Sequence, residues 1–273
     1  MNEVKNFDIE QLVQENLLED GTLLDLENKN IGLEELKKLS ERGETPGLKR
    51  LYLSDNRLGD KELEMLARCR FSNELTHLYL NHNNIGDRGR DGLQALLNIN
   101  WVQSLVCLML EANQIGPEGV RAISESKKLT NLEILFLDSN PLGPEGMEIL
   151  ACSNNMPRLQ ALHLDKTEIG DLGAATLAGT QTLTGLTNLY LCSNKIGSMG
   201  FLKLARSPAL KSLKVLSIWR NEIRDEGGQV IADGNIFPDL ERLYMSLNFI
   251  EKPIRKTIRS GPLAKRLKTL VMD

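Results

Sequence analysis

Aromatic residues are scarce: two Trp, four Tyr and six Phe make up only 4% of the 273 residues. A core of this size ordinarily needs more ring volume, so this one must be assembled from another residue type. Cysteines are few, at positions 69, 107, 152 and 192, and form no C-x-x-C pair. Their wide spacing excludes a disulfide-stapled scaffold and points to a reducing, cytoplasmic setting, native or reached by delivery into a host cell. No apolar run reaches about 18 residues, so no membrane span is expected. The N-terminal stretch is acidic and amphipathic, without the basic start and apolar centre of a signal peptide. A net charge of −4 argues against a dedicated nucleic-acid binder. The charge is uneven: acids gather in residues 1–30, and seven Lys or Arg in 251–273. Two solvated ends are the favoured account, over two binding ends or head-to-tail association.

What the chain has in abundance is leucine, 50 of 273 residues. Aligned on L-x-x-L-x-L-x-x-N-x-[IL]-G, the second leucine falls at Leu24, Leu51, Leu78, Leu108, Leu135, Leu162, Leu189, Leu216, Leu243 and Leu270. Every interval is 27 residues except one of 30, lengthened by residues near 98–103 that include Trp101. Such a period is the signature of a repeat array, here about ten units over residues 21–273, with residues 1–20 expected as a helical cap.

Each position of the unit has a chemical task. L-x-L alternates with period two, so it is a short strand with both leucines in the core. Asn56, Asn83, Asn113, Asn140, Asn194, Asn221 and Asn248 stand where the chain leaves the strand, and an amide there satisfies backbone groups that the turn unpairs. Lys29 and Thr167 break this pattern, so the turns they occupy are expected to be weaker. Glycine followed by Pro or Asp and then an acid, as in Gly116-Pro117-Glu118, is helix-start chemistry, and helical stretches such as 119–123 and 173–177 follow. The unit is strand, turn, helix, loop. Stacked units give an α/β solenoid, with a parallel sheet on the concave side and helices on the convex side.

These units resemble the ribonuclease-inhibitor-like leucine-rich repeats, which have 27 or more residues, a convex helix and the N-x-[IL]-G turn. The resemblance covers almost the whole chain. It implies a horseshoe that holds other macromolecules on its concave sheet. The fold is also similar to that of the Ran GTPase activator, which implies an alternative, GTPase activation. That family ends in an acidic tail, whereas this chain ends basic. A bacterial effector acting on a host protein is a further alternative.

The array fills the chain, so function is sought on the solenoid surface. The residue between the two core leucines points away from the core. In order these are Asp25, Tyr52, Tyr79, Met109, Phe136, His163, Tyr190, Ser217, Tyr244 and Val271, and they include every tyrosine of the protein. Trp219 shares the face two residues beyond its strand position. Cys107, Met109, Ile134, Phe136 and Ala161 are expected as an apolar centre, beside an acidic row, open to water, of Glu111, Asp138 and Asp165. One account is a structural ladder of cross-strand aromatics. The favoured account is recognition of a protein with an apolar anchor flanked by Lys or Arg, because Tyr, Trp and Phe bury much area at low entropic cost. The candidate binding residues are therefore Tyr52, Tyr79, Met109, Glu111, Ile134, Phe136, Asp138, His163, Asp165, Tyr190, Trp219 and Tyr244. No catalytic residues, metal site or cofactor are expected, and a monomer is. The acidic row lacks the enclosing carbonyls of a cation site. The Ser54, Asp55 and His82 grouping lacks an oxyanion device. The repeated G-x-x-G belongs to turns rather than to a phosphate loop.

Overall fold

The protein is described by a computed structural model over residues 9–86 and 90–273. The first eight residues of the expected cap therefore lie outside the described residues. The remainder begins with helix α1 (Ile9–Asn16), which buries Ile9, Leu12 and Val13. Strand β1 (Leu17–Leu18) then pairs antiparallel with β2 (Leu23–Asp25), Leu17 opposite Leu24. The expected helical cap is thus a helix plus a hairpin strand, because the adjacent leucines at 17 and 18 continue the sheet rather than the helix.

From β2 the architecture follows the repeat. Strands β3 (Arg50–Tyr52), β4 (His77–Tyr79), β5 (Cys107–Met109), β6 (Ile134–Phe136), β7 (Ala161–His163), β8 (Asn188–Tyr190), β9 (Val215–Ser217), β10 (Arg242–Tyr244) and β11 (Thr269–Val271) add in sequence order, giving one eleven-stranded sheet. Every pairing from β2 onward is parallel and in register, with Leu51 beside Leu78 and Leu108 beside Leu135. The helices between them are α2 (Leu33–Glu41), α3 (Asp60–Leu66), α4 (Arg90–Leu97), α5 (Pro117–Glu125), α6 (Gly143–Ala151), α7 (Gly170–Ala178), α8 (Ser198–Ala205), α9 (Asp225–Asp233), α10 (Lys252–Ser260) and α11 (Pro262–Arg266). Strand leucines and helix leucines, such as Leu135, Leu137 and Leu150, are fully buried in one continuous core. The three extra residues of the 30-residue unit lie between β4 and α4, not near residues 98–103 as expected: α4 starts 13 residues after β4 begins, against 10 in the units on either side. Trp101 nevertheless packs in the core, edge-on to Phe71 at 5.4 Å, with its indole N–H donating to the Cys69 carbonyl. Close helix stacking explains the second glycine of the turn motif: a methyl on Gly200 would sit 2.9 Å from the Asp171 Cα in the preceding helix.

The asparagines form a buried ladder. The Asn113 side-chain oxygen accepts from the N–H groups of Asn83 and Ile85 in the preceding unit, and its amide donates to the carbonyls of Leu80, Leu110 and Glu111. One side chain thus satisfies five backbone groups that water cannot reach. Asn56, Asn83 and Asn221 repeat the arrangement.

Thr167 keeps part of it by donating to Leu164 O and Asn194 Oδ1. Its donating hydroxyl is not seen to accept from the preceding unit. There, Leu142 N–H turns back to Asn140 O, and Gly143 adopts φ +61° and donates to the Thr167 carbonyl. The irregular turn is thus absorbed by a glycine, which adopts left-handed backbone without steric cost. A second ladder closes the other edge: Ser126, Ser153, Thr180 and Ser207 each donate to a carbonyl near the end of the preceding unit's helix.

Candidate functional site

The strand residues between core leucines line the concave face as expected, and their side chains interact. The Tyr52 and Tyr79 rings stack with centroids 4.0 Å apart and planes 8° from parallel. Phe136, His163 and Tyr190 form a second stack, with spacings of 3.7 and 4.0 Å. Met109 occupies the strand between the two stacks and Ser217 the strand after the second. The near-contact spacing follows from curvature, because side chains on a concave parallel sheet converge. Stacking hides the ring faces, leaving Tyr52, Tyr79, Phe136, His163 and Tyr190 half-buried with their edges toward solvent. The ladder account and the recognition account therefore both have a physical basis: rings pack on one another and still present a contiguous surface.

Three expectations need correction or refinement. Cys107 and Ala161 do not belong to the exposed patch, since both are buried. Short side chains on a converging face are shadowed by longer neighbours. Met109, Ile134 and Phe136 remain partly exposed.

The acidic row is not uniformly open to water: Asp138 is buried, while Glu111 and Asp165 are partly exposed. Asp138 is only 9% exposed. Its Oδ1 accepts from the Asp165 N–H at 2.6 Å, and the Asp165 Oδ1 accepts from the Cys192 N–H at 2.7 Å. Asn81 does the same for the Glu111 N–H. The residue after the strand thus caps the next strand end, and only the Glu111 side chain of the row lacks this duty. The aromatic row continues past Ser217 only as separate side chains: Tyr244 is half-buried, and Trp219 is the single exposed member of the candidate set.

Burial controls the titrating groups. The Asp138 carboxyl is pushed up to about 7 by burial and, less strongly, by the Asp165 and Glu111 carboxylates, with the Asp165 N–H bond opposing. Asp165 is raised too, chiefly by burial, against its bond from Cys192 N–H. Burial lowers His163 to about 4. The 3.9 Å approach of His163 Nδ1 to Asp138 Oδ2 is therefore not an ion pair near neutral pH, because the imidazole is uncharged there. Burial raises the thiols of Cys107 to about 11 and Cys192 to about 12, so neither is a ready nucleophile. Among the described residues no group of three or more His, Cys, Asp or Glu is arranged to hold a metal ion. No helix there is long and apolar enough to cross a membrane.

Comparison with known proteins agrees with this geometry. The leucine-rich repeat family matches at residues 47–69, 72–96, 103–124, 128–151, 155–178 and 209–232, together more than half of the chain. The chain is a leucine-rich-repeat protein. The unit containing β8 lies between matched segments and has the same register on both sides. Among solved structures, this leucine-rich-repeat chain is similar to internalin C2 of Listeria monocytogenes, with 18% identity, 88% of this chain and 91% of that chain covered, and a TM-score of 0.49. No curated protein matches it. Leucine-rich-repeat domains generally mediate protein–protein interaction.

Proposed function

We propose that residues 21–273 act as a single recognition solenoid, capped by residues 1–20, that binds a protein partner on its concave face without catalysis. The 27-residue unit with a convex helix favours the ribonuclease-inhibitor-like subtype. The observation that carries the reading is the register of Tyr52, Tyr79, Met109, Phe136, His163 and Tyr190 on six adjacent strands, partly exposed, with the five rings held in place by two stacks on either side of Met109. Preorganised rings lose little freedom on binding, which is the property of interface anchors. Glu111 supplies accessible negative charge beside Met109 and Phe136, so the fitting partner carries an apolar anchor next to Lys or Arg. The protein acts as a monomer in a reducing compartment, the cytoplasm, with no nucleic acid and no cofactor.

The test is capture from lysate by wild type beside a Glu111→Lys/Phe136→Ser/Tyr190→Ser variant that circular dichroism shows to be folded. Asp138 is left intact because its carboxylate supports the backbone. A partner held by wild type and lost by the variant supports the concave site, and a partner held equally by both sinks it. Acceleration of GTP hydrolysis in a panel of small GTPases would displace the non-enzymatic reading.

A further inference from the structure

The loops that run from the strands to the helices carry a second surface in the last four units, and its chemistry is opposite to that of the concave centre. Successive loops are tied by backbone hydrogen bonds: Ser193 N–H to Trp219 O, Arg220 N–H to Ser246 O, Glu222 N–H to Ile196 O and Phe249 N–H to Ile223 O. On this fixed frame stand three large exposed apolar side chains, Trp219 at 38%, Leu247 at 57% and Phe249 at 58%. The corresponding residues of earlier loops are polar or small: Asp55, His82, Ala112 and Ser139 precede Leu247, while Arg57, Asn84 and Gln114 precede Phe249. The template does not demand apolar side chains here. Beside them lies an open depression of about 350 Å³ lined by Lys166, Ser193, Lys195, Arg220 and Glu222. Arg224 lies over the Phe249 ring at 5.4 Å. Lys166, Lys195, Arg220 and Arg224 are all exposed, and among the described residues none of them takes part in a salt bridge.

We propose that this rim docks an acidic peptide segment of a protein partner, with an apolar side chain seated on Trp219, Leu247 and Phe249 and its carboxylates over the depression. Exposed apolar area of this kind gains free energy only when covered, and Trp with Arg is the pairing that dominates binding hot spots. Four exposed cations beside it, none in a salt bridge among the described residues, set the sign of the ligand. A peptide fits better than a polyanion, because Glu222 stands in the depression and Asp165 borders Lys166. A continuous phosphate backbone or an anionic bilayer would meet both acids, whereas a short peptide places its charges between them. Trp219 aside, which the concave candidate set also contains, this surface is independent of the concave reading.

The experiment selects displayed random peptides on wild type after depletion on an Arg220→Glu/Phe249→Ser variant. Selected peptides are then titrated as fluorescent synthetic peptides against the single variants and Phe136→Ser. The expected result is enrichment of sequences with Asp or Glu around Leu, Phe or Trp. Their affinity should fall at least about tenfold in Arg220→Glu and in Phe249→Ser, weaken with salt, and be unchanged in Phe136→Ser. Both substituted side chains are exposed, so the variants should keep the fold, and Arg220→Glu alone decides if Phe249→Ser does not. The proposal is overturned if no selected peptide depends on Arg220, if lysine-rich peptides are enriched instead, or if only single-stranded RNA or anionic vesicles show the Arg220 dependence. Loss of binding in Phe136→Ser would also overturn it, by moving these peptides to the concave face.

Discussion

The concave centre and the C-terminal loop rim are built on the same 27-residue template yet use their polar and apolar side chains differently. In the centre, rings stack on one another and the carboxylates of Asp138 and Asp165 hold the next strand's N–H groups. On the rim, Leu247 and Phe249 stand more than half exposed, and Lys195 and Arg220 are exposed and outside any described salt bridge. A residue type at a repeat position therefore does not reveal its availability. What decides it is whether the neighbouring unit presents a backbone group or a ring for it to engage.

Substitutions can break this comparison, and the largest effects belong to the core that both regions share. Leu135 is fully buried while the adjacent Phe136 faces out. Leu135→Asp places an unpaired charge in the core and should unfold the central array, a loss of about 4 kcal/mol or more. Phe136→Ser should cost no more than about 1.5 kcal/mol, chiefly the lost ring stacking. Urea denaturation followed by circular dichroism separates them, and equal loss would show that the inside–outside assignment of β6 is wrong.

Asn113→Ala comes next. It leaves five buried backbone groups without their partner, and a loss of about 3 kcal/mol is expected. A small effect would mean that the turns relax locally, as the Asn140–Gly143 turn does beside Thr167.

The pH dependence sharpens the contrast further. With the Asp138 carboxyl at about 7, the folded protein holds a proton that the unfolded chain has released above about pH 4. Asp138 therefore contributes stability in full below about pH 4, and that contribution is lost as pH rises toward 7. His163, lowered to about 4 from 6.5, works in the opposite direction, losing its contribution as pH falls from 6.5 to 4. Asp138→Asn keeps the oxygen that accepts from Asp165 N–H and removes the charge. It should be more stable than wild type by about 1–3 kcal/mol at about pH 8, with the gain fading toward pH 4. Thermal melts across pH check this, and a gain independent of pH would contradict the burial argument.

The smallest effect is expected at the rim. Phe249→Ser should change stability by less than about 0.5 kcal/mol, because the ring buries little. A larger loss would show that the rim supports the fold rather than waiting for a ligand.

The period made the fold legible. Ten leucine positions predicted ten in-register strands, because a core leucine tolerates no slip without turning its neighbours inside out. The seven asparagines announced their ladder by recurring with the leucines. The acidic row misled because a carboxylate beside a strand end either faces water or caps the next strand, and sequence alone does not distinguish these at Asp138. The hydroxyl ladder of Ser126, Ser153, Thr180 and Ser207 was present at a spacing of 27 but hidden among ordinary loop residues. The rim is not legible in the sequence, since nothing in the repeat spacing marks Leu247 and Phe249 as exposed.

Hydroxyl-radical footprinting of the complex with the captured partner tests the central claim most directly, because it reports on the side chains that line each face. Met109, Phe136 and Tyr190 should be strongly protected when the partner is bound, while Met199, exposed on α8, stays unchanged. Protection confined to Met199 and other helix residues, with the concave rings as reactive as in the free protein, would contradict recognition on the concave face.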